Sequence, residues 1–187
     1  MAADGDLKAR FETTALPLMH HVYTAAYYLT HDRAEAEDIL QETYLRAYRF
    51  FHRFTAGTNV KAWLLTILYN VLRNRYRHRL AEERQTDFTR VAQAYERIAA
   101  SYGAGEGDTD AFFHRLVDGE IERALINLPH DFRAVVLLVD VHELSYAEAA
   151  AALGCPLGTV RSRLSRARRL LQVALHDYAR ERGLVSS

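Results

Sequence analysis

A segment near the C-terminus combines arginine and serine side chains at a spacing suited to nucleic acid. When residues 157–178 are projected at about 3.6 residues per turn, apolar side chains share one face and polar ones the other. The apolar face comprises Val160, Leu164, Ala167 and Leu171, and the polar face comprises Arg161, Ser162, Ser165, Arg166 and Arg169. Arginine forks bind guanine edges and phosphates, and small serines let the backbone approach a groove. Arg163 and Arg168 lie at the flanks, where we expect phosphate contacts.

The residues before this segment predict a helix-turn-helix. Ser145 and Glu148 have the spacing of a capping box that begins a short helix ending at Leu153. Gly154 supplies a left-handed residue to end that helix, and Pro156 turns the chain into the next one. DNA-binding units of this type need a first helix that braces a projecting second helix. The alternative is a solvated basic helix packed on its neighbours, which leaves the joint occurrence of these features unexplained.

A second candidate surface follows the segment from Lys61 to Arg79. Its predicted inner face comprises Trp63, Leu64, Ile67, Leu68 and Val71, and its outer face comprises Thr66, Tyr69, Arg73, Tyr76 and Arg77. Unpaired bases stack on aromatic rings while guanidinium groups hold the phosphates. The pattern therefore indicates single-stranded nucleic acid. In the alternative, Tyr69 and Tyr76 pack beneath the linker that follows.

A third surface lies along residues 32–49. Ala36, Ile39, Leu40, Thr43, Tyr44 and Ala47 share an inward face, and Asp38, Gln41, Glu42, Leu45 and Arg49 share the outward one. The apolar Leu45 among acidic and amide groups indicates a docking patch for a basic protein surface. The alternative is an ordinary solvated face with one exposed leucine.

Helical periodicity dominates the chain, and the fold class is expected to be all-α, with two helical domains joined by a flexible linker. Breaks are predicted near Thr30–Asp32 and at Ala56–Asn59; Asp32 and either Thr58 or Asn59 can cap the helices that follow. From Ala81 to Gly119 acidic and polar clusters surround one weakly amphipathic stretch, residues 88–99. Further helices are predicted over Ile121–Leu128, Phe132–Val141, Ser145–Leu153 and Leu157–Tyr178, with Pro129 in a first turn.

The bulk properties exclude several classes of protein. The 187 residues carry no formal net charge, so binding to nucleic acid must rely on local patches. The single Cys155 cannot form an internal disulfide, and neither a signal peptide nor a membrane span is apparent, so we expect a cytoplasmic protein. Scattered histidines and the lack of cysteine pairs or a glycine-rich phosphate loop argue against an enzyme, a metal site or a cofactor.

Three strings in this order resemble the extracytoplasmic-function sigma factors, small members of the sigma-70 family of RNA polymerase sigma factors. They are DRAEAEDILQETYLRAY, GTNVKAWLLTILYNVLRNRYR and LPHDFRAVVLLVDVHELSYAEAAAALGCPLGTVRSRLSRARRLL. The resemblance implies a region 2 domain at residues 1–81, a linker at 82–118, a region 4 domain at 119–180 and a tail at 181–187. The chain departs from the pattern at His142-Glu143-Leu144, where a glycine often precedes the next helix.

The resemblance also implies a role for each surface. Core polymerase would be bound at the beta-prime coiled coil by Asp38, Gln41, Glu42 and Leu45, with a further contact to the beta flap. The minus-10 element would be captured as a single strand, with one base extruded into the loop Phe54–Val60. The residues that would bind this strand are Asn59, Lys61, Trp63, Asn70, Arg73, Asn74, Tyr76 and Arg77. The minus-35 element would be contacted as duplex by Thr159, Arg161, Ser162, Ser165, Arg166 and Arg169.

The implied function is that of an alternative sigma factor, acting under stress, controlled by an anti-sigma factor and monomeric outside its complexes. The strings GTNVKAW and DYARERGLV are similar to the actinobacterial branch that answers thiol-oxidative stress and is held by a zinc-containing anti-sigma factor. The alternative is a helix-turn-helix regulator that acts without binding core polymerase. Such a regulator usually dimerises on half-sites, and it would leave the Leu45 face and the Tyr/Arg face without a role.

Overall fold

The structure, a computed structural model, describes residues 2–80 and 119–183. All regular secondary structure within these two ranges is helical, which confirms the predicted class. The helices are α1 (Ala2–Thr14), α2 (Met19–Thr30), α3 (Arg33–Phe50), α4 (Val60–Leu80), α5 (Gly119–Asn127), α6 (His130–Val136), α7 (Tyr146–Leu153), α8 (Leu157–Ala174) and α9 (His176–Glu181). Short 3-10 turns occupy Leu16–Leu18 and Phe51–Arg53, and a π-helical turn, Leu137–Val141, continues α6. The expected linker, with its amphipathic stretch, lies outside the described residues.

Capping side chains begin α3 and α4 at the positions that the sequence predicts. Asp32 Oδ1 accepts a hydrogen bond from Glu35 N at 2.9 Å, and His31 ends α2 with a left-handed φ of 56°. Asn59 Oδ1 accepts from a backbone N–H three residues on at 3.1 Å, so Asn59 rather than Thr58 caps α4. Helices α2, α3 and α4 pack together. Their buried core includes Val22, Ala26, Leu29, Ile39, Leu64, Leu65, Leu68 and Leu72.

The C-terminal domain contains the predicted helix-turn-helix in α7 and α8. Ser145 Oγ accepts from Glu148 N at 3.2 Å and Glu148 Oε2 accepts from Ser145 N at 2.8 Å, which confirms the capping box. Gly154 ends α7 with a φ of 63°. The helix predicted over 157–178 is interrupted at Leu175, where the chain turns so that both Leu175 and Ala179 are buried. Pro129 is the N-cap of α6 rather than a residue of its first turn.

The two domains pack directly against each other, a feature that the sequence pattern does not predict. Helix α4 lies on α7, and α2 contacts α5 and α6. Tyr69 is buried in this interface and its Oη donates a hydrogen bond to Ala134 O at 3.3 Å. The placement of Tyr69 on an outer face is therefore wrong, because the C-terminal domain covers the ring. Burial raises the pKa of its hydroxyl.

The described residues show neither a membrane-spanning helix nor a cluster of metal ligands. No helix within residues 2–80 and 119–183 is both long and apolar enough to cross a membrane. The histidine, cysteine and acidic side chains of the same ranges form no group of three that could hold a metal ion. His20 and His21, adjacent in sequence, have ring centroids 6.2 Å apart.

Candidate nucleic-acid interface

Helix α8 presents its predicted polar face to solvent. Val160, Leu164, Ala167 and Leu171 are buried, which confirms the predicted inner face. The exposed side carries Arg161, Ser162, Ser165, Arg166 and Arg169, and Thr159 lies half-buried near the start of the helix. Guanidinium and hydroxyl groups are thus presented together by one face of one rigid element, as contact with a duplex groove requires.

Backbone turns on either side of α7 fix the direction of α8. A left-handed φ costs an L residue about 1–2 kcal/mol, and Gly154 adopts it without that cost. A Cβ at position 154 would lie 2.7 Å from Arg73 Nη1 on α4, so the glycine also permits a close approach by the N-terminal domain. Before α7, Glu143 takes a φ of 58°. The family pattern often has a glycine at this point. This chain has none, and Glu143 forms the left-handed turn instead.

The two flanking arginines of α8 are engaged within the C-terminal domain. Arg168 holds Asp140 in a bidentate pair, with Nη2–Oδ1 at 2.6 Å and Nε–Oδ2 at 3.2 Å, and the Asp140 side chain is almost fully buried. Arg163 forms an ion pair with Asp131 on α6. The expected phosphate contacts of Arg163 and Arg168 stay a prediction, and each of them would compete with an ion pair that the arginine already makes. Both arginines anchor the helix to the elements beneath it.

Several residues predicted to bind a single strand contact one another on the N-terminal domain. Trp63 is half-buried, with its ring centroid 5.2 Å from that of Phe54 in the loop before α4. Asn70 Oδ1 accepts a hydrogen bond from Arg73 Nη2 at 2.6 Å. Asn74 is exposed. The Arg77 side chain lies outside the described part of the structure.

Other members of the same predicted set contact the C-terminal domain. Asn59 Nδ2 donates to Glu148 Oε1 at 2.8 Å. The Tyr76 ring meets His130 edge-on, with centroids 5.2 Å apart. The structure therefore brings part of the predicted strand-binding surface under the second domain. Both tyrosine rings are packed, but against the C-terminal domain; the linker of the alternative prediction lies outside the described residues.

An open pocket of about 330 Å³ lies beside the loop before α4. It is lined by Arg10, Thr14, Phe51, Phe54, Ala56, Gly57, Thr58 and Val60. The loop residues were expected at this site, but Arg10 and Thr14 of α1 were not. The local sequence of α1 does not indicate that Arg10 and Thr14 line a pocket. Only the tertiary packing of α1 brings these side chains to the loop.

The outer face of α3 is exposed where docking was predicted. Leu45 is 73% exposed, and Asp38 and Gln41 are exposed beside it. Glu42 differs from these residues because its carboxylate is already held within the domain. Its Oε1 accepts from Arg46 Nη2 at 2.5 Å and its Oε2 accepts from Arg75 Nη2 at 3.0 Å. The open part of the predicted patch is therefore apolar at its centre, with polar neighbours.

Arg133 is a buried cation outside the set of residues predicted to be functional. Its guanidinium donates to backbone carbonyls at the C-terminal ends of two helices, α2 in one domain and α5 in the other. The acceptors are Tyr28 O at 3.0 Å, Leu29 O at 3.4 Å, Leu125 O at 3.1 Å, Ile126 O at 2.6 Å and Leu128 O at 2.8 Å. The negative ends of both helix dipoles favour a cation here, although burial lowers its pKa. A lone arginine within the apolar run 132–138 was the available signal.

His142 is buried at the domain interface with a cationic surrounding. Neither ring nitrogen has a hydrogen-bond partner in the structure, and the His21 ring of α2 lies edge-on to it with centroids 6.0 Å apart. Burial first, and then the positive fields of His21 and Lys61, lower the pKa of His142 to about 4. The ring is therefore neutral at neutral pH.

Because the pKa of His142 is low in the folded chain, the protein is expected to lose stability in acid. As the pH falls below 6.5 the unfolded chain protonates His142, whereas the folded chain does so only near 4. The unfolded state binds the proton first, so the free energy of unfolding should fall by about 3 kcal/mol across this window. Urea unfolding at several pH values measures the effect. His142→Gln is the control, since it should lose much less stability over the same range, and equal losses in both proteins would contradict the assignment.

Comparisons with known proteins agree with this geometry. Residues 17–81 match the family described as "Sigma-70 region 2", and residues 118–171 match "Sigma-70, region 4". The chain is 33% identical over 182 residues to the ECF RNA polymerase sigma factor SigE of Mycolicibacterium smegmatis, covering 96% of this chain and 67% of that one. It is 30% identical over 180 residues to the RNA polymerase sigma-H factor of Pseudomonas aeruginosa, covering 95% of this chain and 91% of the relative.

A solved structure gives the same result for the fold. The sigma factor RpoE of Bartonella quintana, determined in complex with the anti-sigma factor NepR, superposes with a TM-score of 0.66 at 30% identity. The match covers 89% of this chain and 97% of that one. The likeness therefore extends over both helical domains.

Proposed function

Because the chain belongs to the extracytoplasmic-function group of sigma-70 family RNA polymerase sigma factors, we propose that its surfaces divide promoter recognition among them. As a sigma factor it binds core RNA polymerase and promoter DNA and directs transcription initiation. The observation that carries the assignment is the pairing of regions 2 and 4 in one chain, each with an exposed polar surface suited to its role. The matches over residues 17–81 and 118–171 lie within the proposed domains at 1–81 and 119–180, apart from residue 118, and the proposal adds a linker at 82–118 and a tail at 181–187.

In this proposal α8 contacts the minus-35 element as duplex. Its exposed residues are Arg161, Ser162, Ser165, Arg166 and Arg169, with Thr159 at its start. The Leu45 face of α3 docks on the beta-prime coiled coil of polymerase in the cytoplasm, and the C-terminal domain contacts the beta flap. Support comes from the exposure of Leu45 and from the acidic and amide side chains around it.

The N-terminal domain captures the minus-10 element as a single strand. The residues assigned to this role are Asn59, Lys61, Trp63, Asn70, Arg73, Asn74, Tyr76 and Arg77. The pocket between α1 and the loop Phe54–Val60 would hold one extruded base. Extruding a base costs a few kcal/mol, and stacking on protein returns about 1–3 kcal/mol per base. Polymerase therefore supplies the remaining binding energy.

The duplex assignment predicts that Arg166→Ala lowers promoter-directed transcription and relaxes specificity. Loss of one bidentate arginine contact costs about 1–3 kcal/mol, or roughly fivefold to 150-fold in affinity. The measurement is in vitro transcription with core polymerase on a promoter from the chain's own genome and on single-base variants of its minus-35 element.

Arg180→Ala is the matched control, because it removes the same charge from an exposed position on α9. We expect this control to transcribe like the wild type on every template. If Arg166→Ala lowered transcription equally from templates with intact and altered minus-35 elements, its role in base recognition would be refuted.

We further propose that an anti-sigma factor holds the chain and releases it during thiol-oxidative stress. The support is the sequence likeness in GTNVKAW and DYARERGLV, together with the anti-sigma complex of the similar Bartonella protein. Burial raises the pKa of the Cys155 thiol, which disfavours the reactive thiolate, so a redox sensor would lie in the partner. Co-purification of the chain with its partner, with and without diamide, tests this.

A further inference from the structure

The C-terminal domain covers part of the face that we assign to the minus-10 strand. Asn59 donates to Glu148 Oε1 at 2.8 Å, and Tyr76 packs edge-on against His130. The Arg73 guanidinium lies against the α-carbon of Gly154, within 2.7 Å of where a Cβ would stand. In each of these contacts, a residue that is proposed to bind the minus-10 strand meets a residue of the C-terminal domain.

The other two functional surfaces remain open in the same arrangement. Leu45 is 73% exposed on α3. The polar side of α8, including Arg161 and Arg169, is exposed as well. The packing of the domains therefore affects one surface selectively: it engages Asn59, Arg73 and Tyr76 of the strand-binding face, whereas it leaves the Leu45 face and the polar side of α8 exposed.

Glu148 brings a carboxylate to this face. Its Oε2 completes the capping box of α7, accepting from Ser145 N at 2.8 Å and Ser145 Oγ at 2.7 Å, which leaves Oε1 for Asn59. The hydrogen bonds from Ser145, and then smaller effects of Asn59 and Lys61, lower the pKa of Glu148. An anion is thus held where Asn59 and Lys61 would otherwise meet a phosphate.

We propose that the C-terminal domain is an intramolecular competitor for the minus-10 strand, with Glu148 taking the place of a strand phosphate at Asn59. The inference rests on the proposed function of the Asn59 face. In the closed chain Glu148 engages Asn59 and His130 packs on Tyr76, so a strand contacts these residues fully only when the domain lifts. The apparent affinity for single strands is then the intrinsic affinity reduced by the fraction of chains that are open.

Glu148→Gln tests the competition, because a glutamine side chain offers one carbonyl acceptor where the carboxylate offers two oxygens. It cannot serve both the capping box and Asn59 as glutamate does. We expect the variant to open the chain and to bind a fluorescent oligothymidylate about tenfold more tightly than the wild type.

Two control variants separate the competition from simpler effects. Ser145→Ala weakens the same capping box but leaves the contact between Glu148 and Asn59. Glu143→Gln removes the same charge from an exposed position before α7. Both controls should bind oligothymidylate like the wild type, so tighter binding by either one to the level of Glu148→Gln would overturn the proposal.

Energy transfer reports the domain arrangement in the full chain without polymerase. Dyes are attached at Ala34→Cys in α3 and Gln172→Cys in α8, both exposed positions, in a Cys155→Ser background. We expect high transfer in the otherwise wild-type chain and lower transfer with Glu148→Gln. Transfer that is unchanged by Glu148→Gln, or affinity for oligothymidylate that is unchanged, would overturn the competition. Either failure would leave transcription by the intact chain, and thus the proposed function, standing.

Discussion

Leu45→Asp is expected to lower promoter-directed transcription about thirtyfold, because a central apolar contact in an interface is worth about 2 kcal/mol or more. Leu45 is 73% exposed and packs little within its own domain. The substitution should therefore leave the free energy of unfolding nearly unchanged. The aspartate carboxylate would be solvated in the free chain. It would lose water on docking, which weakens binding further.

The measurement compares transcription with direct binding of the variant to core polymerase. Met19→Asp is the matched control, because it places the same charge on another exposed apolar residue of the N-terminal domain. We expect the control to bind and transcribe like the wild type. Full activity of Leu45→Asp would show that this face does not dock on polymerase.

Arg133→Met is expected to have the largest effect on stability, lowering the free energy of unfolding by about 3–5 kcal/mol. The methionine roughly fills the volume of the arginine stem but donates no hydrogen bond. Buried carbonyls at the C-terminal ends of α2 and α5 would lose their donor. Because these carbonyls belong to both domains, the substitution should also weaken the interface.

Urea unfolding followed by circular dichroism measures this loss. Arg123→Met on α5 is the control, since Arg123 is exposed and its removal should change stability by no more than about 0.5 kcal/mol. Arg133→Lys keeps the charge with fewer donors and should fall between wild type and Arg133→Met. If Arg133→Met were as stable as the control, the hydrogen bonds of Arg133 would not stabilise the fold as we expect.

Local features of the fold could be predicted because short-range chemistry determines them. The caps at Asp32 and Asn59, the capping box at Ser145 and the turn at Gly154 all depend on residues within a few positions of one another. The buried face of α8 followed from helical periodicity in the same way. These features locate helix α8, whose proposed contact with duplex DNA stays a prediction.

Long-range contacts could not be predicted from the same patterns. Asn59 and Glu148 are 89 positions apart, and no local spacing relates them. The pattern around Arg168 gave no sign of its ion pair with Asp140, because Asp140 lies on a different element. For Tyr69 the periodicity indicated a polar, aromatic face but not that a second domain covers it.

Run-off transcription with purified core polymerase tests the central claim most directly. Templates are drawn from the chain's own genome, and each is transcribed by core polymerase with the wild-type chain, with Leu45→Asp or alone. The account predicts promoter-specific transcripts with the wild-type chain, and their near loss in the other two reactions. No promoter-specific transcript on any of those templates would contradict it.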